Sequence, residues 1–309
     1  MSMSKMIKAA GMSAAIASSA SVSAQNTMTI PAVTPNVPYD QVLAAPFRSA
    51  DRRIEYGEDA LQFGLLWEAQ SANLKDTSPK SGSNELISEL NNAPSDTAES
   101  ERPLVIFIHG GCWLSEYNIE HSYALTSAIS HAGYNVLSLE YRRTGDVGGG
   151  WPGTYEDIVA GITIAGEEAR QAVNTRSVVL VGHSAGGHLA VLAGQNMKVA
   201  GVIGLAAITD IEEYAKGKNS CETATPAFMG GSPQQRPQEY DKANPAKHKM
   251  RSKTVLLHGD QDAIVALSHA QLTGAESHIE KGAGHFDWVH PGSPAFAHLL
   301  ATLSAMSAM

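Results

Sequence analysis

Gly182-His183-Ser184-Ala185-Gly186 sets a serine between two glycines, directly after the apolar run Val178-Val179-Leu180-Val181. A serine hydroxyl is a weak nucleophile at neutral pH, so chemistry at Ser184 needs a general base and a group that fixes the base's tautomer. It also needs presentation. At a sharp turn from strand to helix the hydroxyl stands out of the sheet, and Gly182 and Gly186 leave no side chain where backbone segments must pass closely. The residues before Ser184 favour a strand and the alanines and leucines of 187–196 favour a helix, so the context is that of a nucleophile elbow.

Partners for Ser184 lie downstream. His258-Gly259-Asp260-Gln261-Asp262 follows the apolar run ending at Leu257, and Gly282-Ala283-Gly284-His285 places a histidine in a later glycine-rich loop. Asp260 and Asp262 compete for the acid. Asp262 is preferred, because a loop a few residues past the strand gives a carboxylate reach toward His285, whereas Asp260 follows Gly259 as a turn former. His183 and His188 flank the serine and are expected to pack or hydrogen-bond, pointing away from its partner. Catalytic residues are thus Ser184, Asp262 and His285.

Serine attack builds charge on a carbonyl oxygen, which needs donors already facing it. His109-Gly110-Gly111-Cys112-Trp113, after the run Leu104–Ile108, exposes backbone N–H groups. Gly111 and Cys112, with Ala185 after the nucleophile, are the expected oxyanion-hole donors, and Gly110 competes with them in register. Trp113 is expected to overhang the pocket and bind substrate, with wall packing as its alternative. Gly148-Gly149-Gly150-Trp151-Pro152-Gly153 lacks the Lys-Ser/Thr ending of a phosphate loop and reads as a mobile loop. His285, Asp287 and His290 come without an H-E-x-x-H pattern or a second ligand pair, so no metal and no cofactor are expected.

These groups need a frame. Apolar runs at 104–108, 135–139, 178–181, 199–207 and 254–257 alternate with helical segments at 123–131, 155–171 and 187–196. That alternation predicts an α/β fold with a mostly parallel central sheet flanked by helices. Segments 52–56 and 63–68 predict an antiparallel start to the sheet, Thr154 an N-cap, and 294–306 a closing amphipathic helix. The alternation breaks at 211–250, a small cap segment above the sheet, and at 76–101, a polar flexible insertion. The hydrolase domain is accordingly 51–309, preceded by an extended surface arm, 25–50, with four prolines.

Residues 1–24 carry two lysines, an apolar stretch of small residues and Val22-Ser23-Ala24, as in a cleavable signal peptide cut near Ala24. A periplasmic or secreted protein is expected. The net charge of −9 without a basic block argues against nucleic acid as a partner. No other window approaches the roughly 18 apolar residues needed to span a bilayer. Cys112 and Cys221 are the two cysteines; export would permit them to pair, with two separate buried thiols as the alternative.

The motifs His109-Gly110-Gly111-Cys112-Trp113, Glu140-Tyr141-Arg142, Gly182 to His188, His258-Gly259 with Asp262, and Gly284-His285-Phe286-Asp287 come in the order Ser, Asp, His. From Tyr56 onward the chain resembles the kynurenine formamidase-like esterases of the α/β-hydrolase superfamily. The resemblance implies the α/β-hydrolase fold, a Ser-Asp-His mechanism on Ser184, Asp262 and His285, and a small-molecule substrate that is either an aryl formamide or an ester with a small acyl group. An export signal suits the ester better than cytoplasmic tryptophan catabolism. The expectation is an exported carboxylesterase, with an arylformamidase acting on N-formylkynurenine-like substrates as the alternative. A serine exopeptidase and a non-catalytic hydrolase-fold binding protein are the more distant readings.

Overall fold

The computed structural model describes residues 30–70 and 102–307. The expected signal peptide and the polar insertion at 76–101 lie outside the described residues. Eight strands form one sheet: β1 (Arg52–Glu55), β2 (Phe63–Trp67), β3 (Leu104–Ile108), β4 (Val136–Leu139), β5 (Val178–His183), β6 (Gly201–Leu205), β7 (Lys253–Gly259) and β8 (Glu276–Glu280). Their spatial order is β1-β2-β4-β3-β5-β6-β7-β8. The pairs β1/β2 and β2/β4 are antiparallel and every later pair is parallel, the mostly parallel sheet that the alternating runs predict.

The helices are α1 (Tyr39–Ala44), α2 (Tyr123–His131), α3 (Gly153–Ala172), α4 (Ala185–Asn196), α5 (Ile211–Tyr214), α6 (Ser220–Met229), α7 (Pro237–Ala243) and α8 (Pro294–Ser307). They cover both faces of the sheet, which is why its central strands are apolar without interruption. In β3, Leu104, Ile106 and Ile108 enter one core with Ile158 and Leu189 of α3 and α4. Val105 and Phe107 enter the other, with Leu125 of α2 and Leu299 of α8. Among the described residues no helix is long and apolar enough to cross a membrane.

Local details differ from the sequence expectations. The arm is not wholly extended, since 39–44 turns into α1. Thr154 is not the cap of α3: the helix begins one residue earlier, and the Thr154 hydroxyl donates instead to the Arg142 carbonyl at 2.6 Å. The segment 211–250 folds into α5, α6, α7 and a short 3-10 turn. Asn219 and Glu222 start α6 with a reciprocal capping box, and Gly230, at φ 70°, ends it.

Candidate active site

The turn between β5 and α4 is the centre of the site. Ser184 has φ 56° and ψ −119°, a strained backbone for a residue with a side chain. The strain is held from several sides. Ser184 donates its N–H to Leu205 O at 2.9 Å, and its own carbonyl accepts from His188 N at 3.0 Å. A Cβ on Gly186 would lie 2.2 Å from the carbonyls of Ile108 and His109, and one on Gly182 would lie 2.2 Å from Gly186 O. Only glycine fits at both places, the close backbone passage expected of an elbow.

His285 reaches the site from the loop after β8. Its Nδ1 lies 2.8 Å from Asp262 Oδ2, while Asp262 Oδ1 accepts Ile264 N at 2.8 Å and Val265 N at 2.9 Å. Burial alone would raise the Asp262 carboxyl, but the His285 contact and the two N–H donors hold it below the usual carboxylate range. The competing Asp260 sits at the rim and accepts Gly282 N at 2.7 Å. Ser184 and His285 are 2% and 6% exposed, so both are largely shielded from solvent.

His183 does not point away from this partner. It donates Nε2–H to the His285 carbonyl at 3.0 Å, and the two rings are 4.6 Å apart. Burial first, then repulsion from His285, keeps His183 neutral. His188 faces the cap, donating to Ala243 O at 2.7 Å, and burial lowers it to about 4. One flank of the elbow therefore braces the His285 loop and the other fastens the cap.

The loop after β3 passes Ser184 closely: a Cβ on Gly110 would lie 3.1 Å from Ser184 Cβ. Gly111, Cys112 and Trp113 follow with φ of 103°, 54° and 58°, an unusual left-handed run that turns the chain sharply beside the elbow. A buried ion cluster supports it from below. His109 Nε2 lies 2.9 Å from Glu140 Oε1, Ile119 N donates to Glu140 Oε2 at 3.0 Å, and Arg143 Nη1 is 3.3 Å from Glu140 Oε1. Burial would raise Glu140, yet His109 and Arg143 hold it below the usual range. The signal in the sequence was a Glu-Tyr-Arg directly after an apolar strand. Its mechanical role was not legible there.

Trp113 does not overhang a pocket. It is 0% exposed, stacked on Phe228 at 4.6 Å and 9°, with His188 edge-on at 5.4 Å. Too many of its neighbours are apolar side chains of the cap for it to keep an open face. The half-buried rings beside the site are Tyr117, which packs against Gly111, Phe286, which follows His285, and Tyr39 of α1, which touches both at 6.0 and 5.2 Å. Cys112 and Cys221 are joined by a disulfide, so the loop is tied to α6. The glycine-rich segment at 148–153 is pinned rather than loose: Trp151 N donates to Phe228 O and its Nε1 to Glu239 Oε2, both at 2.8 Å.

Asp287, which shows no ligand pattern in the sequence, has a structural role. It is buried, and its Oδ2 accepts N–H groups from Asn36, Val37 and Gly284 at 2.9, 3.0 and 2.9 Å. Ser293 Oγ donates to its other oxygen at 3.0 Å. One carboxylate thereby fastens the N-terminal arm to the residue before His285.

Sheet order, elbow and the loops at the strand ends define an α/β-hydrolase fold. The family model described as BD-FAE matches residues 92–275, more than half of the sequence, and the chain belongs to that family. It is 22% identical over 240 residues to Esterase LipC of Mycobacterium tuberculosis (strain ATCC 25618 / H37Rv), covering 71% of this chain and 53% of the relative. The chain thus spans about half the length of that curated relative. Esterase B from Lactobacillus rhamnosis (HN001) superposes with a TM-score of 0.62 at 16% identity, over 87% of this chain and 90% of the other. A truncated carbohydrate esterase from gut microbiota superposes with a TM-score of 0.63 at 17% identity, over 85% and 98%.

Proposed function

We propose that the protein is a carboxylic ester hydrolase working through a covalent acyl-enzyme. The observation that carries this reading is the pairing of His285 with the buried Asp262, with the His285 carbonyl held by His183, the residue before a strained Ser184. Ser184 Oγ attacks the ester carbonyl carbon while His285 Nε2 takes its proton. The tetrahedral intermediate collapses, the alcohol leaves with that proton, and water repeats the sequence to release the acid. Asp262 holds the tautomer with Nε2 free for the proton. Gly111, Cys112 and Ala185 supply N–H groups to the oxyanion; losing one such donor typically costs about 3 kcal/mol of transition-state stabilisation.

LipC and the Lactobacillus protein carry esterase in their names, which supports the choice of an ester. The disulfide supports an oxidising compartment, and with the signal-like start it favours a periplasmic or secreted protein. An aryl formamide would use the same groups, and the rings of Tyr39, Tyr117 and Phe286 favour a flat substituent in either substrate. The two readings separate on kcat/KM for N-formylkynurenine against short-chain esters.

The deciding experiment is Ser184→Ala with fluorophosphonate labelling. Hydrolysis of short p-nitrophenyl esters and labelling should both disappear from a folded protein. Substantial residual turnover, or labelling elsewhere, would remove Ser184 from the reaction.

A further inference from the structure

β8 is the last strand of the sheet, and alternation along it puts Glu276, His278 and Glu280 on one face. The register pairs Val255 with Glu276 and Leu257 with His278. Val255 and Leu257 share a core with Leu299, Leu303 and Met306, so this is the face on which α8 packs. His298 of α8 meets it there. Its Nε2 is 2.7 Å from Glu280 Oε2, and His278 Nε2 is 3.6 Å from the same oxygen. The two imidazoles stand 4.4 Å apart at 32°, and donor atoms of all three residues fall within 4.8 Å of one another.

We propose that His278, Glu280 and His298 bind a divalent transition-metal ion of the zinc type at the junction of β8 and α8. Two imidazoles and one carboxylate suit zinc and its neighbours, whereas calcium and magnesium prefer oxygen alone. A tetrahedral ion with bonds of about 2.0–2.1 Å keeps its ligands about 3.3 Å apart. The contacts of 2.7 and 3.6 Å bracket that spacing, and the third pair of donor atoms lies within 4.8 Å. A His298–Glu280 pair alone would satisfy the carboxylate but gives no reason for His278 to turn to the same oxygen.

Access and charge also fit. The three side chains are 45%, 20% and 41% exposed, which leaves a fourth position for water. Lys253, the cation lining the same groove, is held by Glu276 at 3.8 Å. The groove, roughly 390 Å³, is otherwise lined by Val255, Leu257, Ala301, Ala305 and Met306 among others. With its ligands on the last strand and the last helix, the ion acts as a clip between them and takes no part in the chemistry at Ser184.

The test is calorimetric titration of the metal-free full chain with ZnCl2, beside His278→Ala, His298→Ala and Glu280→Gln. One ion per chain is expected, at least about tenfold weaker in each histidine variant. Zn2+ should raise the Tm of the unaltered protein more than that of the variants, and Co2+ should give the visible bands of a four-coordinate ion. Equal Zn2+ binding by the unaltered protein and the His278→Ala/His298→Ala double variant would overturn the proposal. So would the absence of binding at millimolar Zn2+.

Discussion

His285 Nδ1 and Asp262 Oδ2 stand 2.8 Å apart, and the other oxygen of that carboxylate is already occupied by Ile264 N and Val265 N. The carboxylate is fixed by its own loop before it meets the imidazole. Asp262→Asn keeps the acceptor for the two N–H groups but offers an N–H to Nδ1, forcing the wrong tautomer. Its kcat on a short p-nitrophenyl ester should fall by about 10⁴-fold with little change in KM or Tm. Asp260→Asn is the control and should retain activity, since Asp260 only shapes the turn at Gly282.

Reducing the Cys112–Cys221 disulfide frees a loop of sequence separation 109. Cross-links of this kind contribute about 2–5 kcal/mol. Cys221→Ser should therefore lower the unfolding free energy extrapolated from urea melts by that amount. It should also lower kcat more than it raises KM, because the tether ends in the loop that carries Gly111.

Four buried histidines set the acid limit. His121 is lowered to about 3, His188 and His269 to about 4, and His183 well below its ordinary value, each chiefly by burial. In the unfolded chain they titrate near 6.5. Below that pH the unfolded state binds protons that the native state refuses, so their stabilisation is complete above about 6.5 and declines as pH falls toward 4 and 3. Each contributes a slope of about 1.4 kcal/mol per pH unit there. Denaturant melts between neutrality and pH 4 should show the decline; a flat profile would mean the histidines are not held neutral.

Asp287→Ala leaves three backbone N–H groups facing a void. The loss should be about 3 kcal/mol or more. The arm should become a site of limited proteolysis, and kcat should drop about 10–100-fold as the His285 loop loosens. Unchanged kcat with a cleaved arm would separate the arm from the chemistry.

Much of this molecule was legible in its residues. Each central strand announced itself because burial on both faces demands an unbroken apolar run, as in Leu104 to Ile108. Ser184, Asp262 and His285 were proposed from local glycine patterns and chain order, and the contact between His285 and Asp262 is the part of that set the fold displays directly. β8 was not, because an edge strand with the sequence Glu-Ser-His-Ile-Glu hides little and so lacks the apolar signature. Trp113 was misjudged because its surroundings come from Phe228 and His188, far along the chain. The supports of the site, Glu140 under the loop and Asp287 on the arm, are single charged residues whose partners only the fold supplies.

The arm also imposes an order in time. Asn36 leaves the ribosome well before its hydrogen-bond acceptor, which lies 251 positions later. Until Asp287 emerges and the sheet has closed, the arm has nothing to dock on. The parallel core can assemble first, while the His285 loop waits for Asn36 and Asp287 to meet. A chain cut short before Asp287 would hold an elbow and its serine but no finished reaction centre. The proposed reaction centre is thus fastened only after the contact between Asn36 and Asp287 can form.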